Sequence, residues 1–508
     1  MKTDNGQTTS VWMATADTPR ESQLTQDAQA DVCIVGAGIA GLTTAYLLAR
    51  AGRRVVVLDD GPVAGGETCR TTAHIVNALD DRYYELERLH GEQGARLAAA
   101  SHTAAIAQVE EIVSAEQIDC DFSRLDGYLF VPPDDDDSVL DKELAAAHRA
   151  GLTEVEIVPR APVDSFDTGR ALRFPRQAQF HILKYLDGLA RAIEQAGGRI
   201  YTGTHADKIE GGTEARVRIV GGATVTAGAV VVATNSPVND LIEMHTKQAP
   251  YRTYVVGGRV PRGSVPQILL WDTPDPYHYL RLQAEDDAYD ILIVGGEDHK
   301  TGQADDADER YARLEAWTRA RFPQVESFPY RWSGQVMEPV DGLAFIGRNP
   351  LDSDNVFIAT GDSGNGMTHG TIAGMLLTDL ILGRTNKWAE LYDPARKTLG
   401  AITDFARENL NVMAQYTDLV TGGEVADVGE IKPGEGRIVR RGLTKVAAYR
   451  DDAGTLHERS AICAHLGCVV QWNSNERTWD CPCHGSRYQT DGHVVNGPAI
   501  SGLAPAEE

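Results

Sequence analysis

The chain has 508 residues, more than one domain at the usual 100–200 residues or so each. Hydrophobic residues make up 42% and charged residues 24%, a globular balance that excludes wholesale disorder. Lys+Arg total 48 against 73 Asp+Glu, a formal net charge of −25, which argues against a nucleic-acid partner or an anionic lipid surface.

Residues 1–28 are polar and aperiodic and read as an extended N-terminal arm lying against the fold, with Trp12 as its anchor. They hold neither an apolar signal core nor a twin-arginine signal, and the strongest apolar stretch, residues 375–382, is too short to span a bilayer. The expectation is a cytoplasmic chain with no membrane span. Residues 31–35 (DVCIV) are a short apolar strand, 41–51 a helix and 54–58 (RVVVL) a second strand, together a βαβ unit. Residues 82–118 carry a long helical pattern, and the aspartates 134–137 read as a solvated loop. Residues 180–196 form an amphipathic helix stopped by Gly197-Gly198. Strands are expected at 217–219, 224–226 and 229–233, a strand-rich region over 251–300 and a helix over 305–322. Residues 355–359 (NVFIA) are another buried strand, leading through 361–366 into a helix that ends near Leu382. A helix over 392–414 and a linker over 415–430 follow. From Ile438 onward, short strands and glycine turns suggest a β domain of roughly 70–80 residues, a size that calls for a staple or a metal.

The run Gly36-x-Gly38-x-x-Gly41 follows the first strand and opens the first helix. In that context Gly36 permits the tight turn, Gly38 admits a pyrophosphate to the backbone, and Gly41 allows close helix–strand packing. The helix start, with Ile39 and Ala40, offers free N–H groups and a positive dipole to phosphates. Asp59 ends the second strand 23 residues after Gly36, where a carboxylate can bind ribose hydroxyls; Asp60 is the alternative. The motif alone does not separate NAD from FAD. No second fingerprint is present, so a single dinucleotide is expected.

Three segments together carry a resemblance: this strand–glycine–helix start, the segment from Gly65-Gly66-Glu67-Thr68 to Thr72-Ala73-His74, and the late segment Gly361-Asp362-Ser363-Gly364-Asn365-Gly366-Met367. Over about residues 30–385 the chain resembles the FAD-dependent oxidoreductases of the D-amino-acid oxidase and glycine/sarcosine oxidase superfamily. The resemblance implies FAD, an α/β Rossmann-like FAD-binding domain (about 29–80, 165–235 and 335–385) and an antiparallel α+β substrate domain (about 81–164 and 236–334). It places Thr68, Thr72, Ala73, His74, Gly361, Gly364, Asn365, Gly366 and Met367 at the cofactor. His74 and His369 flank the expected flavin, and Cys69 sits near it.

Four of the seven cysteines lie between Cys463 and Cys483. Cys463-x-His465 is followed, after 15 residues, by Cys481-x-x-His484. Two cysteines and two histidines suit a Rieske [2Fe–2S] cluster. Zinc also accepts that set but leaves Cys468, Cys483, Ser486 and Tyr488 unexplained. Residues 428–508 closely resemble a small all-β Rieske domain. By that resemblance Cys463 and Cys481 hold one iron, His465 and His484 hold the other, and Cys468 pairs with Cys483 in a disulfide. Ser486 and Tyr488 match positions that donate hydrogen bonds to cluster sulfurs, and Gly497-Pro498-Ala499 matches a later loop.

A flavin accepts two electrons and a Rieske cluster passes one at a time, at about −150 to +300 mV. The chain resembles bacterial FAD oxidoreductases with an appended Rieske domain, which implies a path from substrate to FAD to cluster to an external acceptor. The Rieske oxygenase pattern D-x-x-H-x-x-x-x-H is missing from its 14 histidines. The expected substrate is an amine or amino acid oxidised at C–N. His299 aligns with a substrate-side histidine of sarcosine-oxidase-like enzymes. Tyr277, Tyr279 and Arg281 alternate along one strand face, with Arg281 set to pair with a substrate carboxylate. Those relatives carry an oxygen-activating lysine where this chain has Gly295, which favours a dehydrogenase; Lys300 is the alternative source of that charge. Two other readings remain: an electron-transfer protein with no substrate of its own, and an oxidase with a structural Rieske domain.

Overall fold

The computed structural model describes residues 5–16, 22–133, 135–239, 243–419 and 421–506. Part of the arm, and Asp134 of the aspartate run, fall outside them. The first sheet has eight strands. Five run parallel in the order Val356–Thr360, Thr224–Val232, Ala28–Val35, Val55–Leu58, Arg199–Tyr201. Val55–Leu58 is buried at every position, as a parallel strand covered on both faces must be. Thr224–Val232 is a single strand where two were expected, because Ala227 and Gly228 continue the ladder without a break. The helices Ile39–Arg50, Ile182–Gln195 and Gly366–Ile381 pack on or beside this sheet.

The second sheet has nine strands and is antiparallel except where Leu269–Trp271 pairs parallel with Ser123–Phe130. It takes in His74–Ile75 and Ala171–Gln179, segments that the sequence reading gave to the dinucleotide part. The helix expected over 392–414 is broken. Ala389–Tyr392 ends before Pro394, and the next helix is Ile402–Gln415. Pro394 lacks the N–H that a continuous helix needs. No described helix is long and apolar enough to cross a membrane.

The C-terminal domain has a three-stranded sheet (Gly436–Arg441, Thr444–Arg450, Leu456–Ser460) and a four-stranded one running from Gln471–Asn473 to Val494–Asn496. The arm is not extended throughout: Val11–Thr15 is a helical turn capped by Ser10, with Trp12 fully buried. The Trp12 indole donates to the Thr71 carbonyl at 2.6 Å, and the Ser10 hydroxyl to that of Cys69 at 2.6 Å.

Candidate functional site

At the glycine turn, Gly36 has φ +108°, and a Cβ there would stand 2.3 Å from the Ala233 carbonyl oxygen. A Cβ on Gly41 would stand 1.9 Å from the Gly36 carbonyl oxygen, so Gly41 lets helix and turn touch and does not itself reach the cavity. Asp59 accepts from the Ala37 N–H at 2.6 Å and the Gly61 N–H at 2.9 Å, closing the turn onto the end of the second strand. Asp60 instead faces His205 at 3.3 Å. Gly36, Gly38, Ile39, Ala40, Asp59, Asp60, Thr68, Thr72 and His74 line one cavity of about 840 Å³ together with Gly361, Gly364, Asn365, Gly366 and Met367. The cavity thus runs between two helix N-termini, each able to stabilise negative charge. Ala73 lies outside the lining and is spent in the wall behind it.

The opposite wall comes from the second sheet. Trp271, Tyr277 and Tyr279 line it, the Tyr279 hydroxyl paired with that of Thr253 at 2.8 Å and the Tyr277 hydroxyl donating to Asp80 at 2.6 Å. Asp80, Asp81, Asp298, Glu338 and Asp362 line the same space. Burial pushes Asp81 and Asp298 up to about 7 and Asp362 up to about 6, and it also raises Glu338 well above the ordinary carboxyl range, helped by the neighbouring Asp81 charge. Burial, then the Arg281 charge, drives His74 down to about 3, and burial drives His369 down to about 4, so both rings are neutral near pH 7. The sequence reading missed the carboxyls: they come from four separate segments with no shared motif.

Two expected catalytic residues are elsewhere. Arg281 is fully buried behind the cavity, donating to the carbonyls of Ala73 (3.0 Å) and Phe180 (2.9 Å) and to Gln283 (2.7 Å). It shares a strand face with Tyr279, but two residues on that face has passed beneath the 72–73 segment, so it is not placed to meet a substrate. His299 is also outside the cavity. Its ring bonds to the Tyr254 hydroxyl (3.0 Å) and the Lys300 carbonyl (2.9 Å). Strand alternation gives the cavity side to Asp298 and turns His299 away. Cys69 is buried outside the lining as well, its thiol pushed up to about 12 by burial. A Cβ on Gly295 would stand 2.3 Å from the Tyr279 ring, and Lys300 pairs with Glu408. Among the described residues, no lysine lines the cavity.

In the C-terminal domain, Cys463 and Cys481 are free buried thiols on two adjoining loops, and the rings of His465 and His484 stand 5.0 Å apart. His484 Nδ1 is buried without a hydrogen-bond partner, as a metal-directed nitrogen would be before its metal is placed. The Tyr488 hydroxyl is 3.1 Å from Cys463 Sγ, and the Ser486 hydroxyl, fully buried, accepts from the Ala499 N–H at 3.1 Å. Cys468 and Cys483 are disulfide-bonded and tie the loops together. A closed zinc site would need none of these last four groups; a cluster with bridging sulfurs and two outer loops uses them all.

The two domains meet through buried charge. Arg70 pairs with Glu476 at 3.1 Å, and Arg252 and Arg487 each pair with Asp480 at 3.3 Å, all five essentially inaccessible to solvent. The arm is threaded into this network, with Thr8 bonded to Glu476 and Asn5 to Arg487.

Residues 31–380 match the family described as FAD dependent oxidoreductase, and residues 423–506 match the Rieske [2Fe-2S] domain. Over 97% of its length the chain is 32% identical to the Rieske 2Fe-2S iron-sulfur protein YhfW of Bacillus subtilis, covering 96% of that protein. It is 29% identical to the gamma-glutamylputrescine oxidoreductase of Escherichia coli over 72% of this chain and 86% of that one. The crystal structure of glycine oxidase from Geobacillus kaustophilus superposes with a TM-score of 0.61 at 19% identity, over 73% of this chain and 99% of that one.

Proposed function

The chain belongs to the FAD-dependent oxidoreductase family and carries a C-terminal Rieske [2Fe–2S] domain, and from that premise we propose that it is an amine dehydrogenase. It oxidises a C–N bond and passes the electrons through the cluster to an external acceptor. FAD and the [2Fe–2S] cluster are its cofactors. The observation that carries this reading is the single cavity: it runs from the glycine turn, past a wall of carboxyls and aromatic rings, to Val494–Asn496 and Ala499 of the Rieske domain. A cationic amine suits that wall. Carboxylates pair with an ammonium group, and the rings of Trp271, Tyr277 and Tyr279 present faces that attract cations. The similarity to a gamma-glutamylputrescine oxidoreductase supports the same class.

FAD held in this cavity would supply a hydride acceptor for the carbon beside the nitrogen. The residues of this chain prepare that step. Asp298, poised near pH 7, takes a proton from the ammonium at its unpartnered Oδ1, freeing the nitrogen lone pair. Neutral His74 and His369 add no charge to repel the cation. Gly36, Gly38, Ile39, Ala40 and Asp59 would hold the pyrophosphate and ribose, and Gly361 to Met367 would meet the ring system through a helix N-terminus. Cys463, His465, Cys481 and His484 would hold the cluster.

The lining's cations are Arg70, Arg82, Arg88 and Arg407, with no lysine and with Gly295 where the relatives carry the oxygen-activating lysine, so reduced enzyme should reoxidise slowly in air. The test is anaerobic mixing with a panel of amines and amino acids, following flavin bleaching and the electron paramagnetic resonance of the cluster. Bleaching by amines with cluster reduction supports the reading. Bleaching by no member of the panel, or fast reoxidation by oxygen with the cluster unchanged, overturns it.

A further inference from the structure

The edge of the Rieske domain that bears the two histidines is largely covered: His484 is buried and His465 half-buried. His245, on the 3-10 turn Met244–Thr246 of the oxidoreductase region, is 2% exposed and packs its ring edge-on at 4.8 Å from His465 and at 6.0 Å from His484. Three residues on, Gln248 bonds to Thr360, which lines the dinucleotide cavity next to Gly361. A second bridge is shorter still. Gln335 lines the cavity, and its side-chain amide donates to the carbonyl of Gly485, the residue after His484, at 3.0 Å. Gly485 has φ +80°, and a Cβ there would stand 2.6 Å from Pro250, so the ligand loop and the second sheet of the oxidoreductase region touch backbone to side chain. The other ligand loop is held by Tyr416, whose hydroxyl donates to the Leu466 carbonyl at 2.8 Å. The arginine–carboxylate network clamps the same seam from the side.

We propose that this edge is the electron-entry port of the cluster, docked permanently on the chain's own flavin domain, with His245 and Gln335 as the positioning residues that set the crossing. The inference rests on the relay reading above. An amine becoming an imine releases two electrons and two protons. The cluster accepts one electron at a time, so two successive crossings, each discharged to an outside one-electron oxidant, close the balance. The outside oxidant must then collect its electrons from a face of the Rieske domain other than the histidine edge.

The experiment uses anaerobic holoenzyme. A flash-generated deazaflavin radical reduces the flavin, and the flavin and cluster are followed at their own absorption bands, with ferricyanide as the final one-electron oxidant. In the native chain, cluster reduction should follow flavin reduction. His245→Ala and Gln335→Met should slow that second phase by about tenfold or more, the scale on which outer-shell partners of a metal site act, and in His245→Ala the first phase is unchanged. His245→Phe, which keeps a ring at the seam, should recover most of the rate. Hydrogen exchange over residues 481–488 should rise in His245→Ala and stay slow in His245→Phe. If a variant fails to load its cluster, the remaining two decide. Native transfer with all loaded variants crossing at the native rate overturns the port while leaving the relay standing. A native cluster that stays oxidised beside reduced flavin overturns the relay, and the port with it.

Discussion

Two sets of carboxyl groups lie inside this molecule, and burial has opposite results for them. Burial alone would raise Glu476 at the domain seam, but the charges of Arg70, Arg252 and Arg487 outweigh it and hold the carboxyl down at about 2. Asp480 beside it is lowered in the same way, burial again losing to Arg487 and Arg252. Along the cavity wall the same chemistry lacks its partner. Among the described residues Asp81, Asp298, Glu338 and Asp362 form no ion pair, and burial lifts them. A paired buried carboxylate is committed to structure; an unpaired one keeps its capacity for a proton or a cation that arrives from outside.

The sharpest way to break this contrast is at the seam. Glu476→Ala would leave Arg70 without its carboxylate, Arg252 with Asp480 alone, and Arg487 shared between Asp480 and Glu67. Removing one partner from a buried pair costs about 3–5 kcal/mol. Denaturant unfolding should therefore lose that much stability, starting with release of the Rieske domain. A loss below about 1 kcal/mol, the scale of an exposed pair, would show that the network is dispensable.

The two sets should also respond to pH with opposite sign. Glu476 has its folded value depressed, from an ordinary 4.5 to about 2. The stability it contributes is complete above pH 4.5 and is lost as pH falls toward 2. Asp298 has its folded value raised, from an ordinary 3.8 to about 7. Its cost is absent below pH 3.8, grows as pH rises to 7 and is constant above. Asp298→Asn should thus raise the melting temperature at pH 8 and leave it unchanged at pH 3, while Glu476→Gln should lower it at pH 8 and matter least near pH 2. Equal shifts at both pH values in either variant would dissolve the distinction.

A smaller effect belongs to substrate. If the cavity carboxyls receive an ammonium group, kcat/KM for a cationic amine should rise with pH through about 7 as Asp298 ionises. Asp298→Asn should flatten that limb and lower kcat/KM by about tenfold, the ~1.5 kcal/mol of one charge-assisted hydrogen bond. An unchanged pH profile would move the cation-binding role to Glu338 or Asp81.

The same contrast explains what the sequence made legible. The cluster ligands sit on two short loops, each readable in one stretch of six to eight residues, and the disulfide joins those same loops. The glycine turn is equally local. Its geometry depends on residues 36, 38 and 41, whose spacing is fixed by one strand–turn–helix. The cavity wall is assembled from Asp80, Tyr277, Asp298, Glu338 and Asp362, which no local pattern connects. The seam joins Arg70 to Glu476 across 406 positions. Ladder register and domain packing bring such residues together, and a single sequence does not display either. The helix expected over 392–414 shows the same limit at short range: periodicity carried the pattern through Pro394, where the backbone ends the helix.

His299 gives the smallest predicted effect and a strict test of the wall's composition. Alignment by spacing nominates it for substrate, four residues after Gly295. The strand Tyr289–Lys300 gives it no such opportunity. Gly296 and the positive φ of Glu297 shift the register against Gln248–Pro261, so that Asp298 enters the cavity and His299 leaves it. Its ring is held between the Tyr254 hydroxyl and the Lys300 carbonyl, and burial followed by the Arg310 charge keeps it near 4, hence neutral. His299→Asn should therefore leave KM for the amine and the pH limb near 7 unchanged. The cost should be confined to stability, at about 1 kcal/mol for the lost Tyr254 bond. A tenfold rise in KM with no loss of stability would return His299 to the substrate, and the register that separates it from Asp298 would have to be wrong.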